Sequence, residues 1–357
     1  MKLALVHDWL NQVGGAEDVL ASLVKMYPAA PLYTSIYWRE KMPTAWRTWP
    51  IHTLWIDRVP GIHEHHQRYL PLYPLAFGGL NLGAYDVILS NKSGFCHGVQ
   101  KSSAVHVCYC LAPTRYVWQL DAYMDRENMG KATRLMLRPL VSLLKRWDYA
   151  AAQRVDHFIA ISTEIQARIR QFYGRESVVI YPPVETARFK PVEATGDYFL
   201  IVSRLIPYKR IDLAVQACTQ LGLPLLVAGS GRDRERLEQM AGPTVKFLGY
   251  VPDADLPDLM ARCKCFLFPG LEDFGITPVQ AMAAGRPVIA YKGGGALDTV
   301  IPGVTGEFFT EQTVESLAAV LRSFDAARYS PESVRAHALK FDEAVFQQQL
   351  GAFVANC

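Results

Sequence analysis

The chain has 357 residues, of which 50% are hydrophobic and 20% charged, with a net charge of +3. That length exceeds one core of ordinary size and suits two domains, while the composition excludes a disordered or collagen-like chain. The small positive balance gives no footing for nucleic acid, no apolar run approaches the roughly 18 residues of a membrane span, and seven cysteines without a small-domain framework suit a reducing compartment. The opening segment MKLALVHDWL carries too short an apolar run for a secretory leader, so a cytoplasmic chain is expected.

In chain order, residues 3–6 (LALV) read as a strand buried on both faces. His7 and Asp8 end it, Gly14 and Gly15 form a loop, and 16–26 has helical spacing. The Gly pair lacks the full GxGxxG pattern, so it reads equally as a plain turn or as a loop whose amides approach a phosphate. Strand-like runs recur at 31–37, 86–90, 105–109, 157–161 and 178–181, with helical runs at 134–154 and 164–173. Such alternation predicts a doubly wound α/β sheet.

Pro182-Pro183 stops the pattern and 186–196 reads as a linker. A second alternating series then runs from Tyr198: strand YFLIVS, loop RLIPYKR, a helix over 211–221, strand LPLLVAG, and strand VKFLGYV. A helix over 255–262, strand FLF, an Ala-rich helix, strand PVIAY, the loop GGGA and a helix over 314–323 complete it. Residues 341–357 place Phe341, Val345, Phe346, Leu350, Phe353 and Val354 at helical spacing. The expected domains are 1–185 and 186–340, with 341–357 crossing back to the first, and the expected ligand position is a cleft between two facing sheets at their carboxyl ends.

The stretch 266–287, FLFPGLEDFGITPVQAMAAGRP, carries the chemistry most densely. A short strand ends in two carboxylates, Glu272 and Asp273, and a backbone-exposing Gly275 that opens a helix. Acids can hold sugar hydroxyls, and free N–H groups at a helix start suit a phosphate. Upstream, Arg204 ends one strand and Lys209 precedes the next helix, a cation pair suited to a diphosphate.

Ordered blocks extend this pattern along the chain: VHDWL…GGAE, P-x-R-Y-x-W at 113–118, DHFIAIS at 156–162, YPPV at 181–184, SRL…YKRID at 203–212 and EDFGITPVQAMA at 272–283. In these blocks the whole chain resembles the family 4 retaining glycosyltransferases of the GT-B fold, most of all the bacterial mannosyltransferases of O-antigen and exopolysaccharide assembly. The resemblance implies two facing Rossmann-like domains, no metal, no resident cofactor, and a nucleotide-diphosphate sugar, with GDP-mannose favoured, as donor. It assigns Arg204 and Lys209 to the diphosphate, Glu272 to sugar hydroxyls, and the amides around Phe274, Gly275 and Ile276 to sugar and phosphate. Thr277 and Gln280 fall to the ribose, Tyr250 and Val251 to the base, and Gly14 and Gly15 to the donor side.

Two departures stand out. Relatives place a carboxylate where this chain has Gln280, and a His where it has Leu111. They keep open a nucleotide-sugar-binding protein without catalysis, beside a sugar phosphorylase or an epimerase on the same fold. Acceptor-side candidates are His7, Asp8, His97 and Arg115, each with a structural alternative. The acceptor implied is a glycan or polyprenyl-linked sugar. Arg68 to Phe77 (RYLPLYPLAF) and the basic helix with Lys131, Arg134, Arg138, Lys145, Arg146 and Arg154 suggest peripheral contact with the inner membrane face. The pairs Cys108/Cys110 and Cys263/Cys265 lack zinc-site spacing and read as core residues, and His63 to His66 as a polar loop.

Overall fold

The computed structural model describes residues 1–120 and 131–357, with side chains in the helix Lys131–Gln153 described from residue 136. Lys131 and Arg134 of the expected basic face therefore have side chains outside the described residues. The chain forms two units, Met1–Pro183 with Phe346–Cys357, and Val184–Val345.

The first unit is built on β1 (Leu3–His7), β2 (Leu32–Thr34), β3 (Ile51–Thr53), β4 (Val87–Lys92), β5 (Val105–Cys110), β6 (His157–Ala160) and β7 (Ser177–Val179). They form one seven-stranded sheet in the order β3-β2-β1-β4-β5-β6-β7, and every pairing is parallel. All residues of β1 and β4 are buried, as expected where helices cover both faces of a parallel sheet. At the edge, β3 is three residues long and mostly exposed, so no apolar run marked it in the sequence.

The second unit repeats the plan with β8 (Phe199–Val202), β9 (Leu225–Ala228), β10 (Val245–Gly249), β11 (Cys265–Phe268), β12 (Val288–Tyr291) and β13 (Gly306–Phe309). The order is β10-β9-β8-β11-β12-β13, again all parallel. Its core joins Phe199, Ile201, Val215, Leu225, Leu267 and Leu317. The last strand, GEFF, was not foreseen, because it opens on a glycine and buries only its two ends. Both sheets are doubly wound. In each, strand order reverses once, between β1 and β4 and between β8 and β11, and crevices at such reversals are where open α/β sheets take ligands.

Helix ends follow local chemistry. Ser162 accepts from Ile165 N and Thr313 from Ser316 N, both at 3.2 Å, and Gly174 closes the helix Thr163–Tyr173 in the left-handed region at φ 62°. The last helix, Glu343–Ala355, buries Phe346, Leu350 and Val354. Phe346 meets Tyr109 edge-on at 5.5 Å and Phe353 meets His157 at 5.8 Å. Residues 341–345 belong to the second unit, where Phe341 packs against Phe274 at 5.7 Å.

A cavity left by a deleted aromatic ring costs both transfer and packing energy. Phe346→Ala is expected to lose about 3–5 kcal/mol. The loss should appear as a lower guanidinium midpoint for the unfolding of the first unit.

Candidate functional site

The second unit places its chemistry where β8 and β11 lie side by side. After β8 the chain runs through Ser203, Arg204 and Leu205 into a tight turn, Pro207–Lys209. Arg210 then sits at φ 51°, the one non-glycine residue in the left-handed region among the described residues, before the helix Ile211–Leu221. That conformation is uncommon outside turns and special sites. It is held by the Arg210 guanidinium, which donates to Asp212 Oδ1 at 3.2 Å and to the Gln312 carbonyl at 3.3 Å. The turn aims Lys209 at the loop after β11.

There Lys209 Nζ meets Glu272 Oε1 at 2.7 Å, with 19% and 15% of the two side chains exposed. The contact is close, yet Oε1 receives no aligned hydrogen bond. The ion pair therefore leaves directional bonding capacity unspent on both partners. A cation and a carboxylate, each mostly shielded and together at a strand reversal, can grip a phosphate and a sugar hydroxyl respectively.

Backbone contacts hold the Glu272 loop in place. Gly295 N donates to the Glu272 carbonyl at 2.9 Å. A Cβ on Gly294, at φ +58°, would lie 2.2 Å from that same oxygen, and one on Gly270 would lie 3.0 Å from the Lys209 carbonyl. Gly294 has no room for a side chain, and at Gly270 one would press on the Lys209 backbone. Sequence reading took GGGA only as a loop, and the run of three glycines was the available signal for this support.

Gly275, at φ 96°, turns the chain into the eight-residue helix Ile276–Ala283 with no side-chain cap, so its first amides depend on other partners. Ile276, Thr277 and Gln280 are half-buried, while Pro278, Val279 and Ala281 face the core. Thr277 and Gln280, one turn apart, thus share the accessible face. The Phe274 ring is buried against Phe341, leaving only its backbone for a ligand, and Asp273 is buried. Arg204 is exposed and forms no ion pair among the described residues. Tyr250 follows β10 with 76% of its surface exposed, and Val251 beside it is half-buried.

In the first unit the expected acceptor-side residues separate. His7 closes β1 with Nδ1 3.2 Å from the Asn91 carbonyl and Nε2 3.6 Å from Glu17 Oε1, all buried. Gly14 and Gly15 are exposed at the start of the helix Gly15–Met26. Arg115 is half-buried and opens a short helix, Arg115–Trp118.

Three of the four acceptor-side candidates, His7, Asp8 and His97, are buried, in keeping with the structural alternative left open for each. The Asp8 carboxylate accepts backbone N–H bonds from Ser93, Gly94, Phe95 and Cys96 at 2.6 to 2.8 Å, which ties the loop after β4 to the end of β1 and occupies its lone pairs. His97 is fully enclosed, packed against Trp147 and Tyr173, with Nε2 3.3 Å from the Asp148 carbonyl. Leu111 is also buried.

A polar cluster not foreseen from sequence lies beside His97. The buried Asp148 carboxylate accepts from Thr114 Oγ1 at 2.7 Å, Trp118 Nε1 at 2.6 Å and Tyr173 Oη at 2.7 Å. Lys92 Nζ, also fully buried, donates to the Ala112 carbonyl and to Thr114 Oγ1, both at 3.2 Å. Burial works to lower the Lys92 pKa, but Asp148, with smaller contributions from Cys110, Cys108 and Asp8, outweighs it and holds the ammonium above its ordinary value. Buried cysteines behave as core residues, with the Cys108 and Cys263 thiols pushed up to about 12 by burial. Among the described residues no group of three His, Cys, Asp or Glu side chains is placed to hold a metal ion.

Burial, aided by the Lys92 charge, lowers His97 to about 4, and burial, aided by His97, lowers His106 to about 3, from the ordinary 6.5. Both are neutral in the folded chain, whereas the unfolded chain protonates below pH 6.5. Their contribution is therefore whole above that pH and is lost as pH falls toward the folded values. At pH 5 each histidine should forgo about 2 kcal/mol. Melting at pH 5 is expected well below that at pH 7.5, and His106→Gln should reduce the difference between the two scans.

Comparison with known proteins bears on the second unit above all. Residues 184–338 match the family of glycosyl transferases group 1. A GDP-mannose-dependent monoacylated alpha-(1-6)-phosphatidylinositol monomannoside mannosyltransferase of Corynebacterium glutamicum is 34% identical over 135 residues, 33% of this chain and 35% of the relative. An alpha-1,3/1,6-mannosyltransferase of Dictyostelium discoideum is 46% identical over 165 residues, 38% of this chain and 39% of the relative. The chain thus spans between a third and a half of the length of the curated relatives it matches. Among solved structures, Anabaena HepE in complex with UDP matches at a TM-score of 0.75 and 22% identity, covering 100% of both chains. Sucrose-phosphate synthase from Thermosynechococcus elongatus matches at 0.72 and 20%, covering 99% of this chain and 98% of its own. These structural likenesses show the GT-B fold, and the match to glycosyl transferases group 1 is confined to residues 184–338.

Proposed function

We propose that the chain is a metal-independent, retaining glycosyltransferase of family 4 that moves mannose from GDP-mannose to a glycan or polyprenyl-linked acceptor at the inner membrane face. The observation that carries this reading is the Lys209–Glu272 contact of 2.7 Å at the β8/β11 reversal. Arg204 and Lys209 bind the donor's diphosphate and stabilise the charge that grows on it as the glycosidic bond breaks. Glu272 accepts from sugar hydroxyls, and the amides at the start of the helix Ile276–Ala283 meet sugar and phosphate. As the acceptor oxygen bonds to the anomeric carbon, its proton passes to an oxygen of the departing phosphate, so the step needs no protein nucleophile. On that course a leucine at position 111 is compatible with turnover.

Two further features support parts of this reading. The names of the mannosyltransferase relatives favour mannose, and the UDP bound to HepE favours a nucleotide donor in general. Gln280, on the accessible face with Thr277, offers the ribose a neutral amide in place of a carboxylate, a weaker partner than a charge-assisted one.

Lys209→Ala and Glu272→Ala are each expected to lower transfer by about 100-fold or more while the far-ultraviolet spectrum stays native. Wild-type rates in both variants would remove the site assignment. Because a ligand that binds only the folded state raises its melting temperature, GDP and GDP-mannose should raise it more than UDP or UDP-glucose. A shift with the uridine donors alone would overturn the choice of donor.

A further inference from the structure

A groove of about 470 Å³ opens in the first unit, lined by Trp118, Leu120, Arg138, Val141, Ser142 and Lys145 among others. Its wall is built. The Trp118 ring stacks on Phe172 at 5.1 Å and 18°, its indole N–H donates to Asp148 Oδ2 at 2.6 Å, and Lys145 Nζ stands 5.4 Å from its centroid. Asp148 is fully buried and also accepts from Thr114 and Tyr173, so its charge is spent inside the fold and does not neutralise the groove.

The charge of the groove is one-sided. Arg138, Ser142 and Lys145 recur along one face of the helix Lys131–Gln153. Among the described residues no acidic side chain lines the groove, and neither cation enters an ion pair. A planar guanidinium, an ammonium and a hydroxyl are a donor set for a phosphate, and the indole adds a cation-binding face that keeps Lys145 in place. Leu120 and Val141 line the same groove. Cations and aliphatic side chains in one groove suit a ligand that is both charged and oily.

We infer that this groove binds the phosphate of an amphiphilic phosphate ester, whose hydrocarbon chain packs on Leu120 and Val141. Its identification with the acceptor rests on the function proposed above. The phosphate site itself does not. Arg138 and Lys145 grip the phosphate oxygens, Ser142 donates to one of them, and Asp148 acts as a positioning residue through Trp118.

Calorimetric titration of the full chain with dodecyl phosphate, below its micelle concentration, and separately with inorganic phosphate tests the inference. Dodecyl phosphate should bind at least tenfold more weakly to the Arg138→Ala/Lys145→Ala variant than to the wild type, and with unchanged affinity to Lys209→Ala. Inorganic phosphate binding as tightly as dodecyl phosphate, with the same loss in the double variant, would assign the groove to a soluble phosphate ester. Equal affinity of the wild type and the double variant, or a loss confined to Lys209→Ala, would overturn the site. The melting shift by nucleotides should survive in the double variant. Its absence in the wild type would count against the proposed function and leave the groove result standing.

Discussion

The pairing of β8 with β11 is the constraint on which the candidate site depends. Phe199 and Leu200 lie beside Cys265 and Phe266, although two strands and their helices intervene in the chain. Parallel strands cannot be joined by a tight turn, so each must return through a crossover, and the reversal of winding direction leaves two neighbouring strand ends without a shared connection. Into that gap project the turn that bears Lys209 and the loop that bears Glu272. The opposite charges of these two side chains then hold the gap together. Attraction between partly shielded charges is stronger than between exposed ones, because little water lies between them to screen it.

The same reversal in the first sheet is filled differently. There the end of β1 supplies Asp8, whose carboxylate is consumed by the backbone after β4. Identical topology has thus yielded an open ion pair in one unit and a closed clasp in the other. What differs is the partner, a flexible ammonium in one case and a fan of N–H groups in the other. Backbone donors stay fixed, and a carboxylate bound by several of them is a structural part.

Much of this was legible in the sequence because buried parallel strands read as unbroken apolar runs, as LALV and FLF do, and because Ser162, Gly174 and Thr313 mark helix ends by chemistry that acts within a turn. The strands β3 and β13 were not, since neither is a continuous apolar run. At the site, Arg204, Lys209 and Glu272 were visible as charges at strand ends, and their resemblance to a known pattern gave them roles. The direct Lys209–Glu272 contact was not visible, because it depends on which strands become neighbours. Nor were the burial of His97 and the Lys92–Asp148 cluster, for a polar letter in a sequence does not say whether water or protein surrounds it. The three donors to Asp148 come from two segments remote from it in the chain, 114–118 and Tyr173.

The close packing at Gly270 and Gly294 bears on how such a site can change over generations. A side chain at Gly294 would displace the backbone that carries Glu272, and one at Gly270 would press on the backbone of Lys209, so both positions resist change that leaves the ion pair intact. Thr277 and Gln280 stand on the half-open face of the adjoining helix, where a different side chain disturbs no backbone. Divergence in the ligand taken is therefore channelled through a few side chains on one helix turn, while the frame that holds the charges is passed on unaltered.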